Sequence, residues 1–361
     1  MSSSTADLLV LGGGIAGLTT ALAVAEHGLS SVILDSPKSG SASRAAAGML
    51  APSVEELPPD MLPHAIAARD FYPNYLAALR ERTGVDVALD RSGILQLSAP
   101  TSDHAAQLRA HAPPGARWLD ESALAEWEPA FAGHPGALLH PHDGAVDNLA
   151  LMDALELAVE REPLITRVAA EILSIDVEQP SALTSTRGRL FGSRILLAAG
   201  AWAGILPGLP RRVPVRPVRG QLLRLRSTPV RHVTYGAGGY LVPRGDTVLV
   251  GATSEEAGFE NETSLQGLSA LRSIGTRLIP ALSRALVVHH WAGLRPMSLD
   301  GHPILGTDPD TPALVYACGY SRNGILFGPW AAAQLASVLR GIDARALAPF
   351  GITRPALRTA E

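Results

Sequence analysis

The apolar positions at the start of the chain follow the order strand, helix, strand. Residues 8–11 form a continuous apolar run that predicts a buried strand, and residues 15–27 predict a helix that ends at Gly28. A second apolar run at residues 31–34 closes on Asp35. The chain is therefore predicted to begin with a complete βαβ unit.

Three glycines at the first turn of this unit have the spacing G-x-G-x-x-G. Gly12 permits the tight turn, Gly14 lets the backbone approach a pyrophosphate, and Gly17 lets the helix pack against the strand. Asp35 can accept hydrogen bonds from a ribose hydroxyl, and the helix N-terminus attracts phosphate. A glycine turn that binds nothing is the alternative, but the strand, helix, second strand and acid together favour dinucleotide binding.

The pattern changes along the rest of the chain. Predicted helices cover residues 63–83 and 148–161, and predicted strands cover residues 93–98, 137–140, 172–175 and 194–202. The last strand is apolar and ends in small residues, as expected where a parallel sheet lets a cofactor pass close by. Period-two alternation dominates residues 214–254 and predicts an antiparallel sheet.

These patterns predict an α/β fold, α+β overall, in which a Rossmann-type domain carries an inserted antiparallel-sheet substrate domain. Because 361 residues exceed one typical core, two domains are expected. We expect the nucleotide-binding domain to comprise residues 1–80, 140–205 and 293–361. The substrate domain is then expected to comprise residues 81–139 and 206–292.

Composition narrows the function classes. A net charge of −4 argues against nucleic-acid binding, and no apolar run reaches the roughly 18 residues of a membrane span. Residues 1–7 have no basic segment before an apolar core, so we expect no secretory signal and a cytoplasmic protein. The single cysteine, Cys318, allows neither an internal disulfide nor a cysteine-based metal site, and no metal is expected.

Five further motifs connect the chain with a known family. They are Ser-Arg-Ala-Ala-Ala-Gly-Met-Leu at 43–50, Leu-Ala-Ala-Gly-Ala-Trp at 197–202, Arg-Gly-Gln at 219–221, Gly-Leu-Arg-Pro at 293–296, and Ser-Arg-Asn-Gly-Ile-Leu at 321–326. With the N-terminal unit, they follow in the order seen in the D-amino-acid oxidase superfamily of flavoproteins. Within that superfamily the chain resembles the glycine oxidases over nearly its whole length.

The resemblance implies a non-covalent FAD and assigns residues to each part of it. Ile15 and Ala16 would cover the pyrophosphate, Asp35 and Ser36 the ribose, Ala42 and Ser43 the phosphate side, Ala47, Gly48 and Met49 the isoalloxazine, and Ile172 the adenine. Ala199 and Gly200 would border the cofactor, and Tyr320, Ser321, Arg322, Asn323, Gly324, Ile325 and Leu326 would border the flavin pyrimidine end, where backbone N–H groups can stabilise negative charge.

The resemblance also implies a carboxylate-binding site. Arg295 would bind the substrate carboxylate through its planar fork, with Arg322 as a second substrate-side arginine and Tyr240 as a hydroxyl donor. Met49 would lie beside the substrate as well. Ser254 stands where glycine oxidases carry a methionine, so we expect a larger pocket that is less strictly selective for glycine.

The implied reaction is hydride transfer from the substrate Cα to flavin N5. The imine hydrolyses to a 2-oxo acid and ammonia or passes to a thiazole synthase in thiamine biosynthesis, and O2 is reduced to hydrogen peroxide. No histidine lies in a motif that places it as a base, and His289, His290 and His302 are interpreted as structural. The implied substrate is a small amino acid, and the sequence leaves open whether the protein forms a homo-oligomer.

Three alternatives remain beside this interpretation. A D-amino-acid oxidase, or an amino acid dehydrogenase that uses an acceptor other than O2, would share every motif. An enzyme with covalent flavin, like sarcosine oxidase, is disfavoured because residues 293–300 contain no cysteine. A flavin-binding module without activity is disfavoured by the pair Arg295 and Arg322.

Overall fold

The computed structural model describes residues 6–36, 39–55, 57–99, 102–178, 181–342 and 345–357. Residues 1–5, which carry most of the N-terminal segment without a secretory pattern, lie outside this part. The helices are α1 Ile15–Ala25, α2 Ala42–Ala45, α3 Leu62–Thr83, α4 Ser102–Ala110, α5 Glu121–Trp127, α6 Asn148–Arg161, α7 Leu265–Leu278 and α8 Gly324–Leu339. The strands are β1 Ala6–Leu11, β2 Ser31–Asp35, β3 Met49–Leu50, β4 Leu89–Asp90, β5 Ile94–Leu97, β6 Arg117–Asp120, β7 Gly136–His140, β8 Gly144–Val146, β9 Ile165–Ala169, β10 Ile172–Asp176, β11 Ser181–Ser185, β12 Gly188–Leu197, β13 Val215–Arg226, β14 Val233–Gly236, β15 Gly239–Arg244, β16 Thr247–Gly251, β17 Leu286–Ser298, β18 Ile304–Thr307 and β19 Leu314–Cys318.

The first sheet is built around β1, whose apolar residues 9–11 are fully buried. β1 pairs in parallel with β2 on one side and β12 on the other, and β12 continues in parallel to β19. Helices α1, α3, α6 and α8 contribute to the large core that covers one face of this sheet. The predicted βαβ unit and its parallel sheet are confirmed.

The end of β12 differs from the prediction. The strand begins at Gly188 and stops at Leu197, and residues 200–205 form a 3₁₀ turn instead of a strand that continues to residue 202. Ala198 still donates its N–H to the carbonyl of Leu11, and Gly200 then adopts a φ of +53°. The left-handed conformation of Gly200 turns the chain away from the sheet, which places residues 198–202 at the edge of a cavity.

The second sheet contains β17, β13, β16, β15, β14, β5, β7 and β6 in that spatial order. Its neighbours are antiparallel except for β14 and β5, so the antiparallel sheet predicted from residues 214–254 is confirmed. The sheet draws strands from residues 94–140 and 215–298, a division that supports the predicted insertions, although β17 extends six residues past the expected boundary at 292. The domain limits themselves stay a prediction.

Strand β17 connects the two halves of the molecule. It pairs with β13 along nearly its whole length, and the Leu294 N–H donates to the carbonyl of Gly40 at 2.9 Å. A further bridge joins Met297 to Tyr320 beside the parallel sheet. Residues near the centre of β17 are therefore held between both sheets. A membrane-crossing helix is not found among the described residues.

Candidate active site

A continuous cavity of about 1120 Å³ lies between the parallel sheet and the antiparallel sheet. It starts where β1, β2 and β12 end, at Gly12, Asp35 and Ala198. The carboxyl ends of parallel strands are where α/β sheets bind their ligands. The volume exceeds the roughly 300–1,000 Å³ of ordinary small-molecule pockets, so a large cofactor together with a substrate can fit.

Two helix N-termini open into this cavity. Helix α1 begins after Gly14 and α8 begins after Asn323, and neither capping residue bonds its helix through a side chain. The Ile15 N–H donates to Ser43 Oγ at 3.1 Å. The first N–H groups of a helix have no partner within the helix, and the helix dipole makes this end positive. The α1 end suits a pyrophosphate, and the α8 end suits negative charge at the opposite end of the cofactor.

Asp35 lies at the end of β2 with its carboxylate against the glycine turn. A Cβ on Gly13 would lie 2.5 Å from Asp35 Oδ2, so a side chain at this position would displace the carboxylate. Arg167 approaches the same oxygen at 3.8 Å, and the Asp35 side chain is 37% exposed. The carboxylate is thus available to a ribose beside the glycine turn.

Most residues predicted to bind the cofactor line this one cavity. They are Gly12, Gly14, Ile15, Ala16, Asp35, Ser36, Ala42, Ser43, Ala47, Gly48, Met49, Ile172, Ala199, Gly200, Tyr320, Ser321, Arg322, Asn323, Gly324 and Ile325. Gly17 and Leu326 do not line it. A Cβ on Gly17 would lie 1.9 Å from the carbonyl of Gly12, and Leu326 is buried in the core because the first turn of α8 directs it away from the cavity.

Arg295 lies at the substrate end of the cavity, in the C-terminal half of β17. Its Nη1 donates to the carbonyl of Thr253 at 2.9 Å, and no carboxylate pairs with it in the part of the chain that the structure describes. A Cβ on Gly220 would lie 2.4 Å from its guanidinium, which explains the Arg-Gly-Gln motif on β13. Burial lowers the pKa of Arg295, yet an arginine remains a cation at neutral pH.

Two tyrosines face Arg295 across a hairpin. Tyr240 on β15 is paired in register with Tyr235 on β14, and their ring centroids are 5.5 Å apart. Burial raises the pKa of both phenols, so both remain protonated donors at neutral pH. Sequence analysis missed Tyr235. Its position immediately before the Gly-Ala-Gly-Gly turn, opposite Tyr240, was the signal that could have identified it.

Arg322, predicted as a second substrate-side arginine, lines the cavity but is paired with an acid. Its Nη2 lies 2.8 Å from Glu55 Oε2 and 3.0 Å from Oε1, and Tyr235 donates its hydroxyl to the same carboxylate. The Glu55 side chain is only 11% exposed. Glu55 was missed because a single acid in a loop after a proline carries no motif. Of the two arginines predicted to bind substrate, Arg322 is therefore compensated by an acid, whereas Arg295 has no carboxylate partner among the described residues.

Met49 and Ser254 complete the lining on the substrate side. Met49 lies on β3, and Ser254 is exposed just past the end of β16. Cys318 is buried and does not line the cavity, and no group of metal-ligating side chains occurs among the residues described. His289, His290 and His302 lie outside the lining as well, and His302 bonds Asp60 and the backbone of Asp300.

The cavity, the two helix N-termini and Arg295 together define an enzyme that binds a dinucleotide next to an anionic substrate. A family model described as FAD dependent oxidoreductase matches residues 7–338, and the chain belongs to this family of flavoenzymes. FAD is therefore its cofactor.

Relatives share the whole chain. A glycine oxidase of Geobacillus kaustophilus (strain HTA426) is 33% identical over 367 residues, which cover 96% of this chain and 97% of that protein. The bifunctional protein ThiO/ThiG of a Synechocystis species is also 33% identical and is matched over 93% of this chain, which spans 52% of that longer protein. The crystal structure of glycine oxidase from Geobacillus kaustophilus superposes with a TM-score of 0.88 at 30% identity, covering 97% of this chain and 99% of that one.

We predict that Asp35→Ala weakens FAD binding about 10- to 150-fold, because hydrogen bonds to a charged acceptor contribute about 1.5–3 kcal/mol. Flavin fluorescence titration of the apoprotein measures the change. Asp7→Ala is the matched control, since Asp7 lies on β1 and bonds only Ser30 among the described contacts. An unchanged FAD affinity in Asp35→Ala would mean that the carboxylate only ends its strand.

Proposed function

We propose that this protein is an FAD-dependent oxidase of glycine and other small amino acids, with O2 as the electron acceptor. The observation that carries the proposal is Arg295, a half-buried cation that has no carboxylate partner in the described part of the chain and lies at the end of an FAD-binding cavity. Glycine oxidases that match the whole chain support the same substrate class.

The charge balance of the pocket supports substrates with one carboxylate. Glu55 compensates Arg322, whereas Arg295, the other arginine beside Tyr240, pairs with no carboxylate among the described residues. A planar guanidinium binds both oxygens of a carboxylate at once. Tyr240, whose phenol stays protonated, is placed to donate a hydrogen bond to the same carboxylate. A second acidic group on the substrate would be repelled by the Glu55 carboxylate.

The residues orient the substrate instead of exchanging its protons. Bound FAD supplies the acceptor for the hydride that leaves Cα and passes the electrons on to O2. Arg295 and Tyr240 fix the carboxylate, and that fixes which Cα hydrogen faces the cofactor. The N-terminus of α8 offers N–H groups where reduction places negative charge. A substrate that arrives with a neutral amine then needs no histidine base, and the imine product hydrolyses to a 2-oxo acid and ammonia.

Several finer points complete the proposal. FAD is held without a covalent bond, because the one cysteine of the chain is buried outside the cavity. We place the enzyme in the cytoplasm, and we propose that its imine product can pass to a thiazole synthase. The fused relative named ThiO/ThiG supports that partner. We also propose that the chain can form a homo-oligomer and that its two domains exchange after residues 80, 139, 205 and 292.

A substrate screen tests the function. We expect glycine, sarcosine and D-alanine to consume O2 and release hydrogen peroxide, and L-alanine to fail, because its side chain would occupy the space needed by the amine or the ring. An oxygen electrode measures the consumption of O2, and a peroxide assay measures the hydrogen peroxide released. If the amines reduce the flavin under anaerobic conditions but cause no O2 consumption in air, the protein is instead a dehydrogenase. No reduction by any of these amines would reject the proposed function.

Replacing the carboxylate clamp is expected to remove activity. Arg295→Met should lower kcat/KM for glycine at least about 100-fold, because both binding and orientation are lost, while the flavin spectrum stays unchanged. Stopped-flow reduction and absorbance spectra measure the two effects. Arg226→Met, an exposed arginine on β13, is the control. Near-normal turnover by Arg295→Met would move the carboxylate site elsewhere.

Selectivity is expected to depend on Ser254. Ser254→Met should narrow the pocket and shift the ratio of kcat/KM for glycine over D-alanine upward by about 10- to 200-fold, the range that a methylene-scale contact decides. Steady-state kinetics with both substrates measure the ratio. Ser273→Met, on the exposed face of α7, should leave it unchanged. If the ratio is the same in Ser254→Met, this side chain does not contact the substrate.

A further inference from the structure

Glu55 ends a short turn of residues 51–55, which follows β3 and the predicted flavin-binding residues 47–49. The Glu55 N–H donates to the carbonyl of Ala51 at 3.1 Å, which closes the turn. Ala51, Val54 and Glu55 all line the cavity. The direction of the Glu55 side chain therefore depends on how this backbone is held.

A carboxylate from a distant segment holds it. Asp143 lies between β7 and β8, and its side chain is completely buried. Its Oδ2 accepts hydrogen bonds from the N–H groups of Ser53 and Val54, both at 2.9 Å. Two consecutive backbone donors on one oxygen fix both the position and the orientation of the turn.

The other oxygen of Asp143 is bound as well. Arg69 on α3 donates from Nη1 to Asp143 Oδ1 at 3.2 Å, and the Arg69 side chain is only 9% exposed. Charge-assisted bonds of this kind are the stronger class of hydrogen bond. Asp143 is thus a buried carboxylate that accepts hydrogen bonds from two backbone N–H groups and from the Arg69 guanidinium, and it does not line the cavity. Burial raises the pKa of Asp143, and these hydrogen bonds and the charge of Arg69 oppose that shift.

We propose that Asp143 is a positioning residue for substrate binding: by holding the backbone of Ser53 and Val54, it keeps the Glu55 carboxylate against Arg322 and Tyr235. This inference rests on the proposed function and deepens it. Loss of the anchor releases Glu55 from Arg322. The pocket then presents a displaced acid and an uncompensated Arg322, so a monocarboxylate substrate binds Arg295 more weakly, while the rate of hydride transfer from bound substrate is unchanged.

Asp143→Asn tests the anchor with nearly the same shape, because an amide has one acceptor oxygen for three donors. We expect the KM for glycine to rise about 10-fold, with kcat changed less than about 3-fold. Hydrogen exchange of the amides in residues 51–55 should become faster in the FAD-loaded protein. Unchanged exchange together with an unchanged KM would overturn the proposal.

Asp308→Asn is a matched control elsewhere in the fold. Asp308 is a buried carboxylate that pairs with Arg211 and accepts N–H groups from Asp310 and Thr311, outside the cavity. The Asp308→Asn variant should have a lower melting temperature and an unchanged KM for glycine. If Asp143→Asn does not fold, Arg69→Lys, which keeps the charge but loses the fork, should raise the KM in the same direction by a smaller factor.

A double-variant cycle separates positioning from general destabilisation. In a Glu55→Gln background, Asp143→Asn should raise the KM by less than about 2-fold, because the anchor then has no Glu55 carboxylate to place. An equal rise in both backgrounds would reject the proposal. If the parent protein oxidises no amine, the proposed function fails; amide exchange and the shift of the flavin spectrum on titration with glycolate then still decide whether Asp143 controls anion binding.

Discussion

The contact between Gly12 and Gly17 is the constraint on which the rest of the site depends. A Cβ on Gly17 would lie 1.9 Å from the carbonyl of Gly12, and a Cβ on Gly12 would lie 2.5 Å from the carbonyl of Ala198. Helix α1 can therefore lie close enough to the sheet to direct its N-terminus into the cavity. An alanine at position 17 would force the helix, and with it the phosphate site, away from the strand ends, and an alanine at position 12 would displace the chain at Ala198, just past β12.

The cofactor end and the substrate end of the cavity belong to different sheets, and β17 joins them. Its C-terminal half carries Arg295, pairs with β13 on one side and receives the loop at Gly40 on the other. An arginine held in this way can move little relative to the cofactor. That rigidity matters because hydride transfer depends on the distance and angle between Cα and its acceptor, and small displacements have large effects on rate.

Charge pairing decides what the pocket can bind. A second free guanidinium beside Arg295 would attract a second anion and would be costly to bury without a partner. Glu55 removes that charge through Arg322 and at the same time orders Tyr235. The buried pair of Asp143 and Arg69 supports the turn from behind. A small number of charge contacts, each spanning distant segments, thus defines one carboxylate position.

The amino-acid sequence by itself determined the features that depend on neighbouring residues. The βαβ unit with its glycine turn and Asp35, the strand periodicity of residues 214–254, and helix α6 follow from local spacing, and the structure confirms these elements. The motif around Arg295 indicated a carboxylate site only through the family resemblance, and that role stays a prediction. Only the tertiary structure decided that Arg322 pairs with Glu55, since the two residues are 267 positions apart and neither has a local signal for the other. The same holds for the end of β12 at Leu197 and for the burial of Leu326, because turn direction and helix rotation are set by packing against distant elements rather than by the local sequence.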